Sequence, residues 1–248
     1  MDTSKKNIIK NSIAFVILIL IISSVIIIVF KYQIDGEVNM PFELKKITII
    51  STAEGESDDI AENNNIWNEQ INQSNDIYFF IDKNNNYNKS AILESVKIEN
   101  INVINKPVKG TIKTYMPSSD EGRTFDYSDR FLIQDSLTYN GAKMSNEKTL
   151  EICNQGGRCA IRFANCGLDT FISDDIGEIK HDGTLISKTN TSNEDIAFSV
   201  SFDFIITINK IKYKTNIVLD LPNGNILEEG TSQIEKTDLK DLVFKRIN

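Results

Sequence analysis

The chain has 248 residues, with 27 Lys and Arg against 35 Asp and Glu, which gives a formal net charge of −8 at pH 7. Four of the basic residues and one acidic residue lie around an apolar N-terminal run, and the remaining residues carry a formal charge of −11. A surface this acidic repels nucleic-acid phosphates and anionic lipid headgroups, so we expect no nucleic-acid partner. Isoleucine makes up about one residue in six, a bias typical of AT-rich bacterial genomes.

The segment 12–30 is apolar apart from its serines. At about 1.5 Å per residue it forms a helix of roughly 27–30 Å, which is enough to cross the hydrocarbon core of a bilayer. A cleaved signal peptide is the alternative. It is disfavoured because the run is longer than the usual apolar region of a signal peptide and no small-x-small cleavage site follows Phe30. The sequence therefore predicts an uncleaved single-pass transmembrane helix that holds the chain in the lipid bilayer.

Positive charge is concentrated before this helix, at three lysines: Lys5, Lys6 and Lys10. The positive-inside rule then favours a cytoplasmic tail over 1–11, with the N-terminus in the cytoplasm. Gly36 and Pro41 interrupt the next segment, so 31–43 is expected to be a juxtamembrane stalk. We therefore expect 44–248 to lie outside the cytoplasm, anchored to the plasma membrane.

Alternating apolar and polar residues predict β-strands through most of 44–248. The clearest pair is Phe198–Ile208 and Ile211–Leu221, joined by Asn209 and Lys210, a spacing typical of a two-residue hairpin. Further strands are predicted in six regions: Leu44–Thr52, Ile77–Asp82, Ala91–Ile104, Val108–Met116, Phe131–Tyr139 and Leu150–Cys166, the last as two strands around Gly156 and Gly157.

Three segments depart from simple alternation. In Ala91–Ile104 the buried face switches near Asn100, which predicts a β-bulge or a strand that changes sheets. The spacing of Ile60, Trp67 and Ile71 predicts a short helix within Asp58–Ser74. The segment Thr237–Ile247 is compatible with a short docked helix or with a final edge strand.

The predicted fold is all-β: an N-terminal transmembrane α-helix followed by an antiparallel β-sandwich, Ig-like or jelly-roll-like, with one or two short helices. We favour one domain over 44–248. Two sandwiches dividing near 140–149 are the alternative, and the absence of self-similarity between the halves weighs against it.

No catalytic, cofactor or metal signature emerges from the sequence. The densest acidic loop, Ser118–Asp129, contains four carboxylates: Asp120, Glu121, Asp126 and Asp129. They satisfy no ligand-spacing rule, so we expect a solvated loop and assign no metal. His181 is the one histidine and lies in a turn sequence, where an exposed side chain is expected.

The three cysteines follow a C-x5-C-x6-C spacing, which lacks the paired C-x2-C units of a zinc site. We expect small buried side chains at Cys153, Cys159 and Cys166. The alternative is a disulfide between Cys153 and Cys159 across the predicted turn, in an oxidising exterior.

These features favour a membrane-anchored binding or assembly module of the bacterial cell envelope rather than an enzyme. Its expected partner is another membrane or envelope protein, or a surface glycan. The alternative function is an envelope-polymer hydrolase that uses paired carboxylates of the acidic loop.

Overall fold

The computed structural model describes residues 3–57, 66–118, 124–141, 150–179 and 183–247. Helix α1 runs over Thr3–Asp35. Within the described part of the chain it is the one helix long and apolar enough to cross a membrane, with a mean hydropathy of 3.4 in its most apolar window. Its apolar side chains face outward rather than into the protein, as expected of a helix surrounded by lipid.

The rest of the described chain is mainly strand, so the predicted all-β class is confirmed. The strands are β1 (Phe42–Ser57), β2 (Trp67–Lys83), β3 (Leu93–Asn105), β4 (Thr111–Tyr115), β5 (Ser136–Asn140), β6 (Ile152–Cys153), β7 (Gly156–Ser173), β8 (Phe198–Ile208), β9 (Ile211–Leu221), β10 (Thr231–Lys236) and β11 (Lys245–Ile247). Two short helices, α2 (Asn193–Ile196) and α3 (Ile226–Glu229), flank the β8–β9 hairpin, and 3₁₀ turns occur at Asp129–Phe131, Ile176–Glu178 and Thr184–Lys188.

All strand pairs are antiparallel and form two sheets. Sheet A has the order β10-β1-β2-β7-β4, with β6 paired to the start of β7, and sheet B has the order β11-β9-β8-β3-β5. Each sheet contains strands from before and after residues 140–149. Both parts of the chain therefore build the same pair of sheets.

The main core lies between the sheets and is centred on phenylalanines that are fully buried. Phe79 of sheet A packs against Phe202 and Phe204 of sheet B, with ring centroids 5.9 and 4.8 Å apart. Phe163 stacks on Phe202 at 6.0 Å. Phe202 and Phe204 come from the β8–β9 hairpin, whose inward residues alternate with outward polar ones as the sequence predicted. Its turn residues Asn209 and Lys210 both have positive φ, as a two-residue hairpin requires.

A layer of buried polar side chains interrupts the inner face of sheet A. Ser51 Oγ donates to Asn75 Oδ1 at 2.7 Å, and Asn75 Nδ2 donates to the carbonyl of Phe163 at 3.1 Å. Gln73 and Asn165, both fully buried, face each other across β2 and β7. Beyond this layer lies a smaller apolar cluster, capped by α2, α3 and the Thr184–Lys188 turn: Ala53, Ile71, Leu168, Leu185, Ile186, Ile196 and Ile226.

The predicted bulge in β3 is confirmed. Asn100 has φ 54°, and the register with β8 shifts between Glu99 and Asn102. Asn100 Nδ2 donates to Asp203 Oδ2 at 2.8 Å, which holds the bulge against β8. Asp203 is partly buried, which raises its pKa, but hydrogen bonds from Asn100, Asn216 and Lys214 outweigh burial and the net shift is downward.

Two sequence predictions are wrong in the residues that the structure describes. The first part of the helix predicted within Asp58–Ser74, residues 58–65, lies outside the described residues. Trp67–Ser74 belong to β2 and not to a helix, because pairing with β1 and β7 overrides the helical spacing. The strand predicted over Phe131–Tyr139 begins only at Ser136, because 129–131 form a 3₁₀ turn that brings Leu132 beside Tyr115. For the C-terminal segment Thr237–Ile247 the edge strand, and not the docked helix, is the correct alternative, because Lys245–Ile247 pair with β9.

The end of α1 is tied directly to strand β11, and we call this contact the helix–strand junction. The backbone N–H of Arg246 donates to the Tyr32 hydroxyl at 2.9 Å, and the N–H of Glu37 donates to the carbonyl of Phe244 at 2.8 Å. Gly36 has φ +65°, and a Cβ there would collide with the Phe244 carbonyl. Met40 and Phe42 are already buried in the main core, so the segment predicted as a stalk packs against the sandwich.

The aromatic centre should account for much of the stability. Phe202→Ala leaves a cavity between the sheets and should cost about 3–5 kcal/mol. Val218→Ala removes a side chain that is 54% exposed on the same hairpin and should change stability by about 0.5 kcal/mol or less. The measurement is urea unfolding of the full chain in detergent, followed by far-UV circular dichroism. Equal losses for the two variants would contradict the central role of Phe202.

Candidate functional site

The acidic residues singled out in the sequence do not form a carboxylate pair in the described part of the chain. Asp120 and Glu121 lie outside the described residues. Asp126 Oδ1 accepts the backbone N–H of Ser128 at 2.7 Å, and Asp129, whose side chain is 81% exposed, lies 3.6 Å from Lys113 Nζ. Asp126 is thus engaged in a local turn and Asp129 in a surface ion pair. His181 also lies outside the described residues.

The three cysteines are free thiols. Cys153 pairs in register with Gly156 rather than with Cys159, so the two thiols do not face each other across the β6–β7 turn. The disulfide between them stays a prediction. Burial raises the pKa of the Cys159 thiol, which keeps it protonated at neutral pH and therefore a poor nucleophile. Among the described residues no group of three or more His, Cys, Asp or Glu could hold a metal ion.

A nearly buried ion pair lies on the outer face of sheet A, around Arg162 of β7. Arg162 Nε and Nη2 donate to the two carboxylate oxygens of Asp76 at 2.6 and 2.9 Å. Glu54 of β1 lies 3.8 Å from the same guanidinium. The rings of Phe125 and Tyr127 cover it, 4.9 and 5.2 Å from the guanidinium carbon. We call these five residues the Arg162 cluster.

Interactions within the cluster keep Arg162 charged and the Tyr127 hydroxyl protonated. Burial alone would lower the pKa of Arg162, but the hydrogen bonds and charge of Asp76 outweigh it, and the pKa rises above its ordinary value. Burial, followed by the charge of Glu54, raises the pKa of Tyr127, so its hydroxyl stays protonated. Arg162 is only 4% exposed. The cluster therefore fixes residues 124–131 onto the sheet and does not present a cation to an external ligand.

A second feature lies at the side of the sandwich, where β3 of sheet B and β4 of sheet A separate. A cavity of about 260 Å³ opens between them. We call it the side groove, and six residues line it: Val103, Lys106, Pro107, Gly110, Thr111 and Ile112. Its lining combines apolar residues, Val103, Pro107 and Ile112, with the polar residues Lys106 and Thr111.

The strand beside the side groove is an open edge. Strand β5 pairs with β3 only over Ser95–Glu99, so within the described chain Asn100–Asn105 pair on one side alone, with β8. Two large apolar side chains project next to this edge: Ile104 is 53% exposed and Val108 is 78% exposed. An unpaired strand edge flanked by apolar side chains is a template for adding another strand.

The loop that forms one wall of the side groove is held firmly. The backbone N–H groups of Val108 and Lys109 donate to the carbonyl of Asp195 at 2.9 and 3.0 Å. Lys109 Nζ donates to Asp169 Oδ2 at 2.8 Å and to the carbonyl of Asn190 at 2.6 Å. The Lys109 hydrogen bond is the main reason that the pKa of Asp169 lies below its ordinary value. The groove therefore exists before any partner arrives, which lowers the ordering cost of binding.

Gly110 is required at this position. It has φ +84°, and a Cβ there would collide with Asn165 Oδ1. The Asn165 side chain in turn donates to the carbonyl of Lys109 at 2.9 Å, so the buried polar layer of sheet A reaches the groove wall.

Neither the Arg162 cluster nor the side groove was assigned from the sequence. In the alternation of β7, Arg162 shares a face with Ala160 and Ala164, and an arginine between small apolar residues is a sequence signal of a buried ion pair. The groove gave no such signal, because its apolar residues fit ordinary strands.

Comparisons with protein-family models, with curated proteins and with solved structures gave no significant match to this chain. Functional inference therefore depends on the geometry described above.

The ion pair of the Arg162 cluster should be more important to stability than an exposed one. Asp76→Ala leaves a buried guanidinium without its main partner and should cost about 3–5 kcal/mol. The matched control is Glu235→Ala. It removes a carboxylate that is 47% exposed and pairs with Lys46, and it should cost about 1 kcal/mol or less. Urea unfolding of both variants gives the comparison. If Asp76→Ala were no more destabilising than Glu235→Ala, the buried pair would not be what holds this face together.

Proposed function

We propose that this protein is a single-pass membrane-anchored binding or assembly module of the cell envelope, whose β-sandwich stands outside the cytoplasm and holds an extended segment of another envelope protein in the side groove. The observation that carries the proposal is the open edge of β3 beside a preformed apolar groove. The anchor is α1, whose length and hydropathy suit a bilayer.

The proposed mode of binding is strand addition. A partner strand would pair with backbone groups of residues 101–105 on the side away from β8, while one of its apolar side chains enters the groove between Val103 and Ile112. Main-chain hydrogen bonds supply affinity in such complexes, and pockets for alternate side chains supply specificity. The open strand edge favours a protein segment over a glycan, because a glycan has no peptide backbone with which to extend the sheet.

The helix–strand junction supports an assembly role. It fixes the sandwich to α1 through hydrogen bonds at Tyr32 and Glu37, so the domain cannot rotate freely on a flexible linker. A partner bound at the side groove would then be held at a defined height and direction relative to the membrane.

Sidedness follows from the basic residues at positions 5, 6 and 10, which favour a cytoplasmic N-terminus. In intact cells with a permeable outer layer, added protease should degrade the sandwich, whereas in inverted membrane vesicles the sandwich should be protected. Immunoblotting with an antibody against the C-terminal region measures both. The opposite pattern of digestion would contradict the extracytoplasmic placement.

A photo-crosslinking amino acid placed at Ile104 or Val108 should give one reproducible adduct in native membranes, because these exposed positions directly follow Val103 and Pro107, which line the side groove. The matched control is the same amino acid at Val218, which is 54% exposed on a different strand. Mass spectrometry of the adduct identifies the partner. If positions 104 and 108 gave no adduct, or the same adducts as position 218, the side groove would not be the binding surface.

A further inference from the structure

A second cavity lies at the helix–strand junction, next to the end of α1. It has a volume of about 180 Å³, and we call it the juxtamembrane cavity. Apolar residues form part of its wall, among them Met40, Leu242 and Phe244. Three acidic residues also line it: Asp35, Glu37 and Glu43, of which Glu43 pairs with Lys45.

The position of this cavity along α1 sets its depth relative to a bilayer. The apolar run ends at Phe30, and Asp35 lies five residues further along the helix. At about 1.5 Å per residue, the cavity begins roughly 7 Å beyond the hydrocarbon core. The headgroup layer of one leaflet is about 5–8 Å deep, so the cavity opens at the level of the outer headgroup atoms.

Charges around the end of α1 are arranged in two layers. Lys31 is exposed at the lipid boundary, while Lys245 Nζ donates to Gln33 Oε1 at 2.9 Å on another side of the helix. Asp35 and Glu37 follow on the side away from the lipid. Going outward from the bilayer, the protein therefore presents positive charge first and negative charge second.

The geometry points to a binding site for a zwitterionic lipid headgroup that ends in a primary ammonium, as in phosphoethanolamine. In such a headgroup the ammonium ends a short flexible arm, so it can reach outward to a carboxylate while the phosphate stays beside a lysine nearer the hydrocarbon core. Lys31 would contact the phosphate, and Asp35 would accept hydrogen bonds from the ammonium.

Two features of the junction make Asp35 the key residue for this recognition. Glu37 already pairs with Arg246 Nη2 at 3.2 Å, whereas Asp35 is exposed and has no ion-pair partner among the described residues. Lys31 and Asp35 are four residues apart on α1, so both side chains project from the same face of the helix and can contact one headgroup.

A primary ammonium is favoured over the other common headgroups for chemical reasons. It has three N–H donors for carboxylate oxygens, whereas the quaternary ammonium of choline has none. A glycerol headgroup would place no positive charge near Asp35 and Glu37. The cavity is fixed in shape by the hydrogen bonds of Tyr32 and Glu37 to β11, so it does not have to form on binding.

The test uses the full chain reconstituted in vesicles that contain equal amounts of phosphatidylethanolamine, phosphatidylcholine and phosphatidylglycerol with matched acyl chains. Native mass spectrometry of the protein released from these vesicles measures which lipids stay bound. Phosphatidylethanolamine should be retained about tenfold over phosphatidylcholine, the ratio that one charge-assisted hydrogen bond gives. Equal retention of the two lipids by the unmodified chain would overturn the inference.

Variants locate the preference within the protein. Asp35→Asn should reduce the ratio to near one, and Asp35→Glu, which keeps the charge, should retain the preference. The matched control is Asp174→Asn, an exposed carboxylate just after the end of β7, far from α1, which should leave the ratio unchanged. A preference that persisted in Asp35→Asn, or that was lost equally in Asp174→Asn, would overturn the assignment to this cavity.

This inference rests on the part of the proposed function that places α1 across a bilayer, and on neither the side groove nor the sidedness. Failure of the chain to insert into vesicles would overturn both the anchor and the headgroup site. Insertion without a lipid preference would overturn the headgroup site alone.

Discussion

The constraint on which the rest of the structure depends is the short path from the apolar helix α1 to the core. Helix α1 ends at Asp35, and strand β1 begins at Phe42, a fully buried residue. Only residues 36–41 separate a helix whose apolar side chains face outward from a strand whose apolar side chains face the other sheet. Strand β1 then pairs with both β2 and β10. The end of the sandwich next to α1 is thereby determined by where α1 stops.

The alternation of apolar and polar residues correctly predicted the strands in which neighbouring residues of the sequence show which face is buried. The β8–β9 hairpin followed from its inward phenylalanines and from a two-residue turn, and the bulge at Asn100 followed from a switch of face within one strand. The first half of β2 could not be predicted in this way. Glu69, Gln73 and Asn75 are polar yet fully buried, because Ser51 of β1 and the Phe163 carbonyl of β7 satisfy Asn75 from distant parts of the chain. A sequence pattern does not reveal such partners, so this stretch resembled an exposed helix.

The same reason explains why the candidate sites were missed. Arg162 and Asp76 are 86 residues apart in sequence, and their pairing depends on the register of β2 with β7. The side groove depends on where the pairing of β5 with β3 stops, which is at Ser136 opposite Glu99. The sequence of β3 alone does not show where this pairing stops. The juxtamembrane cavity joins residues near the start of the chain to residues after position 238. Each site is thus a product of topology, whereas the anchor was readable from one continuous run of residues.

The helix–strand junction also has a consequence for the order of assembly during synthesis. Its hydrogen bond between Arg246 and Tyr32 joins residues 214 positions apart, and its ion pair between Arg246 and Glu37 spans 209 positions. Domains generally form as the chain emerges from the ribosome, N-terminal parts first. Here the end of α1 is made early, but the residues that it contacts are among the last to be translated. Until residues 244–246 have emerged, the helix–strand junction cannot form, so the sandwich acquires its fixed orientation relative to α1 only at the end of translation.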